Sequence, residues 1–219
     1  MPTSVPTSVV RSVNTGREVA ADWAGRLRRT AIDKRPAPGP VAVGPLGLAG
    51  DQQADTQHHG GPDQAVYAYS REDLDRWQER LGRPLRDGVF GENLTTQGLD
   101  LGAVLIGERW AVGTAEFEAV LPRTPCGVFQ AWMAQAGWVR TFTQEGRTGV
   151  YLRVVTEGTL AAGDEVRVLH RPDHGITVAA GFAAKRDRDL DTVRRIAALP
   201  GRAAEWGNIA AHLERALAR

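Results

Sequence analysis

The stretch "VYLRVVTEGTLAAGDEVRVL", Val150 to Leu169, decides the fold. Its β-branched residues fall into runs separated by Glu157-Gly158 and Gly163-Asp164. Apolar runs of strand length punctuated by glycine turns read as strand, turn, short strand, turn, strand. A similar pattern lies upstream in "VLIGERWAVGTAEFEAV", Val104 to Val120, where Glu116, Phe117 and Glu118 alternate. Several short strands with glycine-rich turns predict a barrel or a strongly bent sheet. The expected class is therefore mainly β (α+β), centred on a β-barrel.

Working outward, the strand pattern ends past Pro172. Thr177 to Arg186 reads as one helix, and Asp191 caps a second with Val193, Ile196 and Ala197 on its apolar side. Leu199-Pro200-Gly201 stops that helix. Ala203, Trp206, Ile209, Ala210, Leu213 and Leu217 then fall at the spacing of an amphipathic third helix. The expected division is a β-barrel domain over residues 1–172 and a three-helix extension over 173–219. The extension's apolar face must be buried on the body, at a homodimer contact or over a pocket. Toward the N-terminus, "AVYAYS" (Ala65 to Ser70) reads as a short strand. Ser70 then caps a helix carrying Leu74, Trp77 and Leu81 on one side, and Gly82 ends it. "DKRPAPGPVAVGPLG", Asp33 to Gly47, reads as a surface loop with short extended pieces.

Composition narrows the function classes. The chain has 219 residues, 42% hydrophobic and 24% charged, which suits a globular protein with a proper core. A net charge of +1 gives no reason to expect nucleic acid or an anionic membrane as a partner. No apolar run is long enough to span a bilayer. The opening "MPTSVPTSVVRSVNTG" lacks a basic start followed by an apolar run, so no secretory signal is expected. One cysteine cannot form an internal disulfide. The expected location is the cytoplasm.

Three segments carry groups suited to chemistry. The first is "VLPRTPCGVFQAWM", Val120 to Met133, with the sole cysteine, Cys126. Pro125 favours a helix start at or beside Cys126. Helix dipole and Arg123 both favour the thiolate, the form that acts as nucleophile or soft-metal ligand. A buried structural thiol is the alternative, and the residues alone leave both open. The second segment, "GLAGDQQADTQHHGGPDQAVYAY", runs from Gly47 to Tyr69 and holds Asp51, Asp55, His58, His59 and Asp63. Neighbouring histidines on an extended chain face opposite ways, which argues against one shared metal ion. Gly60 and Gly61 can expose backbone amides to an anion beside His59, or can serve only a tight turn. The third segment, "VFGENLTTQGLD", Val89 to Asp100, places Glu92 and Asn93 in a polar turn that reads as a loop or as a hydrogen-bonding edge for a heteroaromatic ring.

Taken in order, "HHGGPDQAVYAY", "FGENLTTQGLD" and "PRTPC" resemble the MOSC family, named for the C-terminal domain of molybdenum cofactor sulfurases. With its helical tail, the chain is similar to bacterial stand-alone members that carry a C-terminal three-helix extension. The resemblance implies a β-barrel-centred fold with Cys126 as the defining residue. It implies either a molybdenum ligand in a molybdenum cofactor (molybdopterin) enzyme that reduces N-hydroxylated, purine-like compounds in detoxification, or a sulfur carrier with a persulfide on Cys126. On the first reading His59 would hydrogen-bond the cofactor or pass a proton to the departing oxygen, Arg123, Gly60 and Gly61 would neutralise the cofactor phosphate, and Glu92 and Asn93 would address the pterin edge. No dinucleotide fingerprint and no cysteine set for an iron–sulfur cluster are present, so electrons are expected from an external donor protein.

Overall fold

A computed structural model describes residues 7–54 and 60–218. The strands are β1 (Val9–Thr15), β2 (Val19–Ala20), β3 (Arg29–Thr30), β4 (Arg35–Pro36), β5 (Val41–Gly44), β6 (Gly47–Leu48), β7 (Val66–Ser70), β8 (Leu94–Gln97), β9 (Arg109–Val112), β10 (Ala115–Pro122), β11 (Val150–Thr156), β12 (Gly158–Leu160) and β13 (Val166–His170). The α-helices are α1 (Arg71–Leu81), α2 (Gly127–Met133), α3 (Trp138–Glu145), α4 (Val178–Asp187), α5 (Leu190–Ala197) and α6 (Ala204–Leu217). The architecture is mixed α+β. No helix among the described residues is long and apolar enough to cross a membrane.

One sheet dominates, in the order β13-β9-β10-β11-β7-β8-β1-β4. Every pair in it is antiparallel except β7 and β8, which α1 joins as a crossover. Ser70 Oγ accepts from the Asp73 amide to start α1, and Gly82 ends it in a left-handed conformation. The sheet curls until its ends meet, but it does not close into a barrel through a continuous ladder. Near β13, the N-terminal end of β1 meets the chain in the single bridge Val9–Glu165, flanked by Val10 N–H to Asp164 O and Gly163 N–H to Val10 O, each 2.8 Å. The other end of β1 pairs with β4 through Asn14 and Thr15, so that edge is not available to extend the seam. The expected closed barrel is corrected to this large curled sheet.

The described residues form three apolar clusters, two large ones and a small one of Ala184, Val193, Ala210 and Leu213 among the C-terminal helices. The main one, inside the curled sheet, gathers Val10, Trp110, Phe117 and Leu152, and it also takes in Ile196, Ala203 and Trp206 from the C-terminal helices. Trp206 is fully buried, and its Nε1 donates to Val120 O at 3.1 Å. At Gly181 a β-carbon would sit 2.7 Å from the Trp206 ring, so glycine sets how closely α4 packs. The apolar face of the tail is therefore covered within the chain from Ala203 to Leu213, while Leu217 at its end is exposed. The second core is aromatic and packs α1, α2 and α3 through Trp77, Phe90, Phe129, Trp138 and Phe142.

Trp206→Ala removes a core side chain and leaves the Val120 carbonyl without its donor. The variant should lose roughly 3–5 kcal/mol of unfolding free energy by urea titration. A loss below about 1 kcal/mol would mean that the tail does not share the core.

Candidate functional site

β10 runs through the main core and ends at Pro122, which is itself buried. The next residues turn sharply into α2, with Cys126 at the N-cap in an extended conformation, φ −129° and ψ 172°. The helix begins beside the cysteine, as Pro125 led us to expect. Cys126 is half-buried and lines a cavity of about 540 Å³. Arg123, Lys34, Asp51, Asn93, Tyr67 and Tyr151 share that wall.

Arg123 is buried, 7% exposed. Its guanidinium lies 4.1 Å from the Phe129 ring centroid and 4.9 Å from that of Tyr67, and Nη1 donates to Phe90 O. Burial works against its charge, but the nearby Tyr67, Tyr151 and Cys126 groups outweigh that, so it stays protonated. Burial raises the pKa values of Tyr67 and Tyr151 and keeps both phenols neutral. The Tyr67 hydroxyl donates to Thr148 O at 2.8 Å.

A second cation lines the same cavity. Lys34, 6% exposed, pairs with Asp51 Oδ1. The Gly16 amide donates to the same oxygen at 2.7 Å, and Asn93 Nδ2 donates to Asp51 Oδ2 at 2.8 Å. Burial lowers the Lys34 pKa, and Asp51 pulls it back up. With Asp51 matched to Lys34, Arg123 leaves this wall with a net positive charge. Trp23, 43% exposed, and Leu27 add apolar surface to the cavity lining beside Arg29, Gln52 and Gln53, and Trp23 stacks on Trp132 at 5.9 Å.

The structure therefore brings Cys126, Arg123, Asn93 and Gly60 to one cavity. Gly61 stands next to it at φ 82°, where glycine is favoured, and starts the turn Pro62–Gln64. His59, His58 and Asp55 lie outside the described residues. Glu92, expected at a ring edge, does not line the cavity. Its carboxylate accepts from the Gly88 and Phe90 amides at 2.5 and 2.9 Å and from Thr95 Oγ1 at 3.0 Å, so it organises the loop from within. Asn93 does line the wall, but its amide is taken up by Asp51, the Asn14 carbonyl and the Tyr67 amide. The sequence reading missed Lys34 and its pairing with Asp51. A signal existed: only two of the 27 basic residues, Lys34 and Lys185, are lysines.

Burial pushes the Glu92 pKa up from its ordinary 4.5 to about 7, against the pull of its hydrogen bonds. A carboxyl whose folded pKa is raised stabilises fully below the unfolded value and loses that contribution as pH climbs through the folded one. The stability of the wild type relative to Glu92→Gln should thus fall between pH 4.5 and about 7. The fall should be of the order of 3 kcal/mol by urea unfolding at stepped pH. A flat difference would mean that Glu92 is ionised throughout.

A sequence model of the MOSC domain matches residues 55–167. The protein YflK of Bacillus subtilis is 38% identical over 169 residues, covering 77% of this chain and 76% of that protein. A protein of Gibberella moniliformis named "Reductase" is 31% identical over 175 residues, which span 78% of this chain but 31% of that longer protein. The crystal structure of YiiM from Geobacillus stearothermophilus superposes with a TM-score of 0.80 at 29% identity, covering 94% of this chain and 98% of that one. The matched segment holds the cysteine, the buried arginine and the glycine turn beside the cavity, and the chain belongs to the MOSC domain family.

Proposed function

We propose that this chain is a molybdenum-cofactor-dependent reductase of N-hydroxylated, purine-like compounds, with Cys126 as the molybdenum ligand. The observation that carries the proposal is the placement of the only cysteine on a cavity wall next to a buried guanidinium. The residues present suit such a cofactor. A thiolate is a ligand for a metal that also takes sulfur donors, and fixed cations match a phosphate-bearing group. The reductase-named relative points to the same reaction class.

The bound cofactor would supply the two-electron redox change and a site that accepts oxygen. The protein's own groups do the rest. Arg123 cannot give up its charge and stays locked between two rings, so it offers a fixed positive field beside Cys126. Lys34 is a buried ammonium on the same wall, able to bind an anionic group or hold a proton for a departing oxygen. Trp23, stacked on Trp132, adds a flat apolar ring to the cavity lining, suited to a planar ligand. At about 540 Å³ the cavity is in the range of small-molecule sites. Electrons would come from an external donor protein in the cytoplasm.

Expression in a host that makes molybdenum cofactor, followed by elemental mass spectrometry, tests this reading. Near-stoichiometric molybdenum in the wild type and little in Cys126→Ser is the expected result. Absence of the metal from both, with an added sulfur on Cys126 by intact mass, would overturn it in favour of a persulfide carrier.

A further inference from the structure

The cavity wall that carries Cys126 is held from outside by the C-terminal helices. Lys185 of α4 donates from Nζ to Thr124 Oγ1 at 3.0 Å, two residues before the cysteine, and Glu205 of α6 anchors the same ammonium at 3.3 Å. Thr124 itself lines the cavity. The neighbouring strand end is tied in the same way, by Trp206 Nε1 to Val120 O. A second wall is also tied to the tail. Arg153 donates to Gly201 O, between α5 and α6, at 2.9 Å, and its Nε donates to Asp63 at 2.8 Å, in the turn that follows Gly60 and Gly61.

Residue choice supports the same view. This chain uses arginine almost everywhere, yet Lys185 is one of its two lysines. A compact ammonium can sit between a hydroxyl and a carboxylate, where a planar guanidinium would demand a wider, forked acceptor. The other lysine, Lys34, lies inside the same cavity.

We propose that the C-terminal helices brace the site and that Lys185 is a positioning residue, fixing the Thr124–Pro125–Cys126 turn through its bond to Thr124. Cys126 is half-buried, so its reaction with an alkylating reagent depends on how often the wall opens. Releasing Thr124 lets the turn open more often. The inference concerns the chain's own geometry and stands whether or not Cys126 binds molybdenum.

The test is the rate of Cys126 alkylation by iodoacetamide, followed across a pH series so that a change in thiol ionisation, which moves the profile along the pH axis, is separated from a change in position and access, which scales the rate at every pH. Lys185→Met should raise that rate by about threefold or more, the scale of one side-chain hydrogen bond. Thr124→Val, which keeps the lysine and removes its acceptor, should do the same. The double variant should be no faster than either single, because both changes break one interaction. Arg194→Ala is the control: it breaks the exposed Arg194–Glu214 pair within the same helices and should leave the rate unchanged. Unchanged rates in Lys185→Met, additive effects in the double variant, or an equal rise in Arg194→Ala would each overturn the proposal.

Discussion

The site depends on a buried guanidinium. Arg123 stands one residue past β10, under the rings of Tyr67 and Phe129 and against the Phe90 carbonyl. A charge in that position is costly unless every face is matched. Matching it requires β7, α2 and the Phe90 loop to converge on one point, and that convergence shapes the cavity. Cation–π contact with two rings repays part of the desolvation, on the order of 2 kcal/mol for a desolvated pair. The aromatic second core is what makes such contacts available: Phe129 packs on Phe90, Trp138 and Phe142 with centroids 5.2 to 5.6 Å away.

Charge is arranged around that point with few loose ends. Asp51 receives Lys34, an amide and the Asn93 side chain, so both its oxygens have protein partners. Glu92 is saturated by its own loop. The groups that sequence reading assigned to a ligand edge are thus the ones that shape the loop, and the lysine hidden in a proline-rich loop faces the cavity. For a carboxylate or amide in a turn, a partner within a few residues competes with any ligand. Glu92 shows this, because Gly88, Phe90 and Thr95 are all near it in sequence.

Local signals were legible and distant ones were not. The β7–α1 unit could be read because Ser70, Asp73 and Gly82 carry its boundaries within the segment itself. The strand patterns up to Val120 and from Val150 to Leu169 and the three tail helices likewise declared themselves through turn glycines and apolar spacing, although α5 is capped by Asp189 and not by the expected Asp191. Strand β1 escaped because "VVRSVNT" is fixed by partners in β8, more than 80 residues away. Helix α3 escaped because it follows Gly137, with no capping side chain to announce it. The curl of the sheet was legible, but its failure to close was not, since that depends on β4 occupying one end of β1. Cys126 and Arg123 were found from sequence because three residues bring them together. Lys34 and Asp51 meet across a sequence separation of 17 that takes in β4, β5 and β6, and only the scarcity of lysine hinted at them.

The proposed role of Cys126 is tested most directly by X-ray absorption at the molybdenum edge on protein loaded with cofactor, wild type beside Cys126→Ser. The account predicts one sulfur scatterer fewer around the metal in the variant, whatever fraction of it retains molybdenum. Identical sulfur coordination in the two would contradict it and leave Cys126 as a wall residue rather than a ligand.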